Sequence, residues 1–145
     1  MKNSIVLKTI LLISGLVATG VGGAILFLPV AFYAASGIEL GGNVSLLNEL
    51  KAPAIAMLAS GIFVMSGAFV ARLTLIAVVM SAFLYLSFGL SRLLSMAMDG
   101  IPAESLVQAA ALEIVIGLAC VFALVRYREN TARSTSGSAA FDPVN

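Results

Sequence analysis

Apolar residues gather into four stretches along this chain, each about twenty residues long, with short polar breaks between them. About twenty apolar residues in helical form are what a hydrocarbon core of about 30 Å requires. Residues 9–38 contain no charge, and 7–28 read as a first transmembrane helix closed by Pro29, with Lys2 and Lys8 flanking its start. The apolar core of a secretory signal runs about 7–15 residues; this run is longer, so the helix is expected to be retained. The connection from 30 to 50 holds Tyr33, Gly37, Glu39, Gly41, Gly42 and Asn43, residues that suit a surface loop, and Ser45 stands ready to cap a helical turn. Pro53 either kinks the helix that follows or restarts it at a first-turn position. The second span is expected at 52–71.

Residues 52–91 carry one charge, Arg72, and as a single helix they would run about 60 Å, twice the apolar thickness. The chain must therefore fold back near Arg72, although the sequence shows no glycine or proline marking that turn, and a third span follows at 73–90. Asp99-Gly100 then signals a turn, Pro102 stands at a first helical position, and Glu104 complements the positive end of the next helix. The fourth span runs 105–125 and is followed by Arg126, Arg128 and Arg133. The expected organisation is all-α: one four-transmembrane-helix domain over 1–128 and a disordered tail, rich in Ser, Thr and Ala, over 129–145.

Composition agrees with a membrane protein. Charged residues are 10% of the chain and hydrophobic ones 61%, whereas a soluble domain carries roughly 25% charge. Four spans place both termini on one side, together with Lys2, Lys8, Arg72, Arg126, Arg128 and Arg133, against Lys51 and Arg92 opposite. The excess of basic residues assigns the termini and the Arg72 turn to the cytoplasmic side and turns Glu39, Glu49, Asp99 and Glu104 outward. With no His, no Trp and one Cys, haem held by His, zinc clusters and imidazole chemistry have no ligands or base to draw on, and no cofactor is expected. A net charge of +1 provides no basic stripe for nucleic acid.

Lipid tails give helices no hydrophobic reason to associate, so contact depends on small residues that let backbones approach. Gly15, Thr19 and Gly23 form one such row in the first helix and Ser14, Ala18 and Gly22 another; Ala56 and Ser60, then Gly67 and Ala71, continue the pattern. In the fourth helix Ala109 or Ala110, Glu113, Gly117 and Cys120 share a face. These rows suit packing within the bundle, with a homo-oligomer face as the other use.

Glu113 is the single carboxylate inside a span. A charge there costs roughly 2.5–3.5 kcal/mol on insertion scales, so Glu113 is expected to point inward and find a partner. It lies eight residues past Ser105, about 12 Å along the axis from the outer boundary. Arg92 is the first candidate partner, because Ser81, Tyr85, Phe88 and Arg92 fall at spacings of four, three and four on one helical stripe. A fork of Arg92 donors could hold Glu113, with Tyr85 on the remaining oxygen. Glu49 and Lys51, at the start of the second span, complete the expected polar cluster. Such a cluster can be a structural network, a pocket for a small amphipathic ligand such as a lipid or quinone, or a proton-exchanging site.

The elements Leu26-Phe27-x-Pro29, Asn48-Glu49-Leu50-Lys51-Ala52, Gly89-Leu90-Ser91-Arg92-Leu93 and Asp99-Gly100-Ile101-Pro102, with the later Glu113, follow a known pattern. Over about 7–125 the chain resembles the bacterial membrane-protein family known as domain of unknown function 4345. The resemblance implies a four-helix inner-membrane protein and gives Glu49, Arg92, Asp99 and Glu113 prominence without roles. A more distant likeness to DoxX-like four-helix proteins implies an association with redox chemistry or quinones.

No nucleophile with its base, metal-ligand set or phosphate loop can be assembled; the Gly20-Val21-Gly22-Gly23 run lies inside a membrane helix with no strand before it, so it is no nucleotide loop. The leading expectation is a membrane protein without enzymatic activity, a small subunit or ligand-binding module whose outer polar cluster recognises a lipid, quinone or another membrane protein. The alternative is a proton-coupled small transporter, working as an oligomer, with Glu113 as proton carrier.

Overall fold

A computed structural model of the chain describes residues 5–139 and shows why the apolar stretches become five helices. Lys2 of the expected basic side and residues 140–145 of the expected tail lie outside the described residues. The helices are α1 (Ile5–Phe27), α2 (Pro29–Ala34), α3 (Val44–Ser66), α4 (Thr74–Asp99) and α5 (Glu104–Ala139). Over Ile5–Phe27, Val44–Ser66, Thr74–Asp99 and Glu104–Arg126 the helices are long and apolar enough to cross a membrane. At most 39% of the residues in these stretches are buried, so apolar side chains such as Phe83 and Phe122 face outward, as lipid permits and water penalises.

The helix ends differ from the sequence expectation for local reasons. Pro29 does end α1, but its fixed φ then starts α2 at a first-turn position, so part of the expected loop is helical. Asn43 rather than Ser45 caps α3: its side-chain oxygen accepts from the Leu46 N–H at 3.1 Å. The helix therefore begins eight residues before the expected span, and Pro53 is absorbed inside it without restarting it. The fold-back occupies 67–73 and includes Arg72, but contrary to expectation a glycine marks it. Gly67 opens the turn, a side chain there would overlap Ala77, and the Thr74 hydroxyl closes it by donating to the Gly67 carbonyl at 2.9 Å. At the other end of α4, Gly100 takes a φ of 100°, the left-handed conformation that glycine adopts without strain.

Pro102 precedes α5 instead of occupying its first turn. Ala103 is the residue whose carbonyl accepts from the Leu106 and Val107 N–H groups, while Glu104 sits in the first turn as expected. The helix continues to Ala139, so the expected disordered tail falls partly on helix.

Two antiparallel pairs build the bundle, α1 with α3 and α4 with α5. The first pair closes through glycine, in a pairing the sequence rows anticipated only in part. Gly15, Thr19 and Gly22 of α1 meet Gly61, Ala54, Leu58 and Met65 of α3, whereas Ala56 faces outward. A methyl group on Gly22 would lie 2.6 Å from the Leu58 nitrogen and 2.8 Å from the Ala54 carbonyl. Ser14 and Ala18, the other row, turn instead toward the second pair. In that pair Gly89 receives Ile114 and Gly117 receives Leu86. The face of α5 expected from the sequence is buried: Ala110, Glu113, Gly117 and Cys120.

The pairs are joined at the end that carries the 67–73 turn, where Leu7, Leu11, Val64, Ala77, Val78 and Ala123 form a compact layer. A middle layer follows with Ala18, Met57, Ala82, Tyr85, Ile116 and Cys120. Beyond it the pairs part. No Cα atom of α3 comes within 8 Å of one in α5 among the described residues, and α2 lies at this parted end.

Substituting Gly22 by Leu should cost about 1–3 kcal/mol or more through overpacking against α3. Gly20→Ala in the same helix, with open space around it, should leave the thermal unfolding temperature in detergent unchanged or slightly raised. Equal melting of Gly22→Leu and wild type would rule out the close approach.

Candidate ligand-binding site

The parted end of the bundle encloses a cavity of about 350 Å³. Its wall is mostly aliphatic: Val17, Val21 and Ile25 from α1, Leu50, Pro53 and Met57 from α3, and Leu106, Ala109 and Leu112 from α5. Phe32 and Tyr33 of α2, their rings edge to face with centroids 5.5 Å apart, contribute to the wall, together with Ser36 and Ile38 just after α2. From α4 come Tyr85, Phe88 and Arg92, three members of the predicted stripe. The fourth, Ser81, lies one turn deeper and bonds the Cys120 thiol at 3.2 Å.

Arg92 and Glu113 meet at the wall of this cavity. The Arg92 Nε donates to both carboxylate oxygens, 2.9 Å to Oε2 and 3.1 Å to Oε1. The register of the α4–α5 pair brings them together, because seating Ile114 on Gly89 and Leu86 on Gly117 leaves the next inward positions, Arg92 and Glu113, opposite each other. Burial differs between the partners: the Glu113 side chain is 11% exposed and that of Arg92 35%. The expected fork of two nitrogens is replaced by a single Nε shared between two oxygens. Among the described residues nothing accepts from the terminal guanidinium nitrogens.

Tyr85 does not complete this pair. Its hydroxyl donates to the Ser14 carbonyl of α1, tying the two helix pairs together across the bundle. The same register explains the difference, since Tyr85 lies near the level of Gly117, about a turn deeper than Glu113. Glu49, Lys51 and Asp99 also stay apart. All are exposed and none lines the cavity; Asp99 instead accepts from the Ser95 hydroxyl at 3.0 Å on the outer surface of α4.

Sequence reasoning missed the contribution of α1, α2 and Pro53 to the wall. Tyr33 and Ser36 were expected in a surface loop, yet a signal was present: Pro29 followed by Val-Ala-Phe-Tyr-Ala is a proline at a first helical position ahead of an apolar run. The aliphatic wall of α1 carried no such mark, because a side chain facing a cavity and one facing lipid are equally apolar.

An acidic side chain buried without its partner costs far more than a paired one. Glu113→Leu alone and Arg92→Leu alone should therefore each destabilise the protein, while the double replacement costs less than their sum. A coupling energy of about 0.5–3 kcal/mol is expected in denaturation measurements, toward the lower end because solvent screens the exposed part of Arg92. Strict additivity would show that the pair contributes nothing.

No curated protein and no solved structure gives a significant match to this chain. One family model does match, over residues 6–124, which include every helix pair and the whole cavity wall. The chain belongs to the family described as domain of unknown function 4345.

Proposed function

We propose that this chain is a multi-pass inner-membrane protein whose function is to hold a small amphipathic ligand in the cavity at the parted end of its bundle. The observation that carries this reading is the cavity itself. An apolar space of about 350 Å³ with one polar pair on its wall has the composition of small-molecule sites, which are mostly apolar with a few placed polar groups. Both termini on the cytoplasmic side, as the distribution of basic residues favours, put this cavity in the outer half of the bilayer.

Amphipathic ligands fit the surroundings as well as the site. The outward-facing apolar surface of the helices calls for lipid around them, so a molecule with an apolar tail reaches the protein already concentrated in the bilayer. In the alternative, a proton-coupled transporter, Glu113 would have to part from Arg92 in every cycle, and leaving the more deeply buried Glu113 without its partner is costly. Proton-driven flux in liposomes that falls on Glu113→Gln substitution would favour that alternative.

Native mass spectrometry after gentle extraction tests the binding reading directly. The protein should carry a bound small molecule, and Ala109→Phe, which puts a ring into the cavity one helical turn from Glu113, should lose it while keeping its helical circular dichroism. Wild-type protein that flies without any adduct would overturn the proposal.

A further inference from the structure

The ion pair at the cavity wall is asymmetric, and the asymmetry specifies which polar group belongs beside it. Glu113 has both oxygens engaged by the Arg92 Nε, and its side chain is 11% exposed. Arg92 is 35% exposed and offers the donors of its terminal nitrogens, for which the described residues provide no acceptor. A guanidinium has donors only. The ion pair therefore presents unused hydrogen-bond donors and little accessible acceptor, so the group that complements it is an acceptor.

Charge narrows the class further. Arg92 and Glu113 are the only charged residues lining the cavity among those described, and at 2.9 Å they neutralise each other. An anionic head would reach Arg92 only by crowding the Glu113 carboxylate, and a cationic head would meet the guanidinium; in a low-dielectric space either charge would remain uncompensated. An uncharged oxygen brings neither cost. The remaining polar groups of the wall, the hydroxyls of Tyr33, Ser36 and Ser105, are also neutral.

Size sets the remaining limit. Small-molecule sites span about 300–1,000 Å³, and this cavity, about 350 Å³, is at the lower end. It has room for one head and the start of a chain rather than for a whole two-chain lipid.

Building on the ligand-binding reading above, we infer that the occupant is an uncharged amphiphile that places a carbonyl oxygen against the terminal nitrogens of Arg92. Quinones and glycerol monoesters both carry this group, and they are separated by experiment rather than by the wall.

Binding to the full-length protein in detergent should be measured by titration calorimetry with four ten-carbon probes: a decyl benzoquinone, monodecanoyl glycerol, decanoate and decylammonium. One or both carbonyl probes should bind at least tenfold more tightly than the two charged ones, and the tighter of them names the source. Arg92→Lys retains a cation for Glu113 but removes the planar donor edge, so it should weaken the carbonyl probe at least tenfold; the paired replacement Arg92→Leu with Glu113→Leu, which leaves no buried charge, should do the same. Decanoate or decylammonium binding as tightly as the carbonyl probes would overturn the inference and leave the ligand-binding reading standing. Unchanged affinity in both variants would do so too. Absence of binding by all four, from protein that also carries no native adduct, would overturn the reading beneath it.

Discussion

A carboxylate in a low-dielectric bundle must be compensated, and much of the upper half of this structure follows from how Glu113 is compensated. The partner comes from the neighbouring antiparallel helix at a distance set by packing: Gly89 and Gly117 let α4 and α5 approach until Ile114 and Leu86 fill the spaces left by the missing side chains. Only in that register do Arg92 and Glu113 face each other. The polar contact thus depends on an apolar one, and shifting the helices by one residue would rotate Glu113 away from its guanidinium by about 100°.

The two ends of the bundle have different packing, and the difference suits a binding role. At the 67–73 turn, leucine, valine and alanine side chains fill the space between the helix pairs, and in the middle the Tyr85 hydroxyl joins α4 to the Ser14 carbonyl of α1. Above that level the pairs diverge and α2 contributes to the wall. A packed base with parted helix pairs above it gives a cavity whose shape is held from below. Buried polar bonds such as the one from Tyr85 gain in importance where no hydrophobic drive holds helices together.

Much of this organisation was legible in the residues. The four long apolar stretches follow from length and hydropathy, which act locally, and so does the inward stripe of Ser81, Tyr85, Phe88 and Arg92, which depends only on helical periodicity. The pairing of Arg92 with Glu113 was legible too, since a lone membrane acid restricts its partners to the few cations within reach. Helix ends were less so: Asn43 and Ser45 are both competent caps, and the choice between them is a matter of tenths of a kcal/mol decided by where the helix packs. The small-residue rows were right for α5 and for Gly15 and Thr19 of α1, but Gly22 packs with Gly15 rather than with Ser14 and Ala18, because it lies near both stripes on a helix with 3.6 residues per turn.

The sequence by itself determined that four long segments are helical, that they are apolar enough for a membrane, and that Glu113 needs a basic partner, since each of these depends on side-chain chemistry or on spacing within one helix. Tertiary structure alone decided that Tyr85 bonds to α1 instead of Glu113, that Glu49, Lys51 and Asp99 stay outside, and that α1, α2 and α3 wall a cavity. Those outcomes depend on the register and divergence between helices far apart in the chain. A leucine or valine toward lipid and one toward a cavity face equally apolar surroundings, so composition carries no trace of the difference.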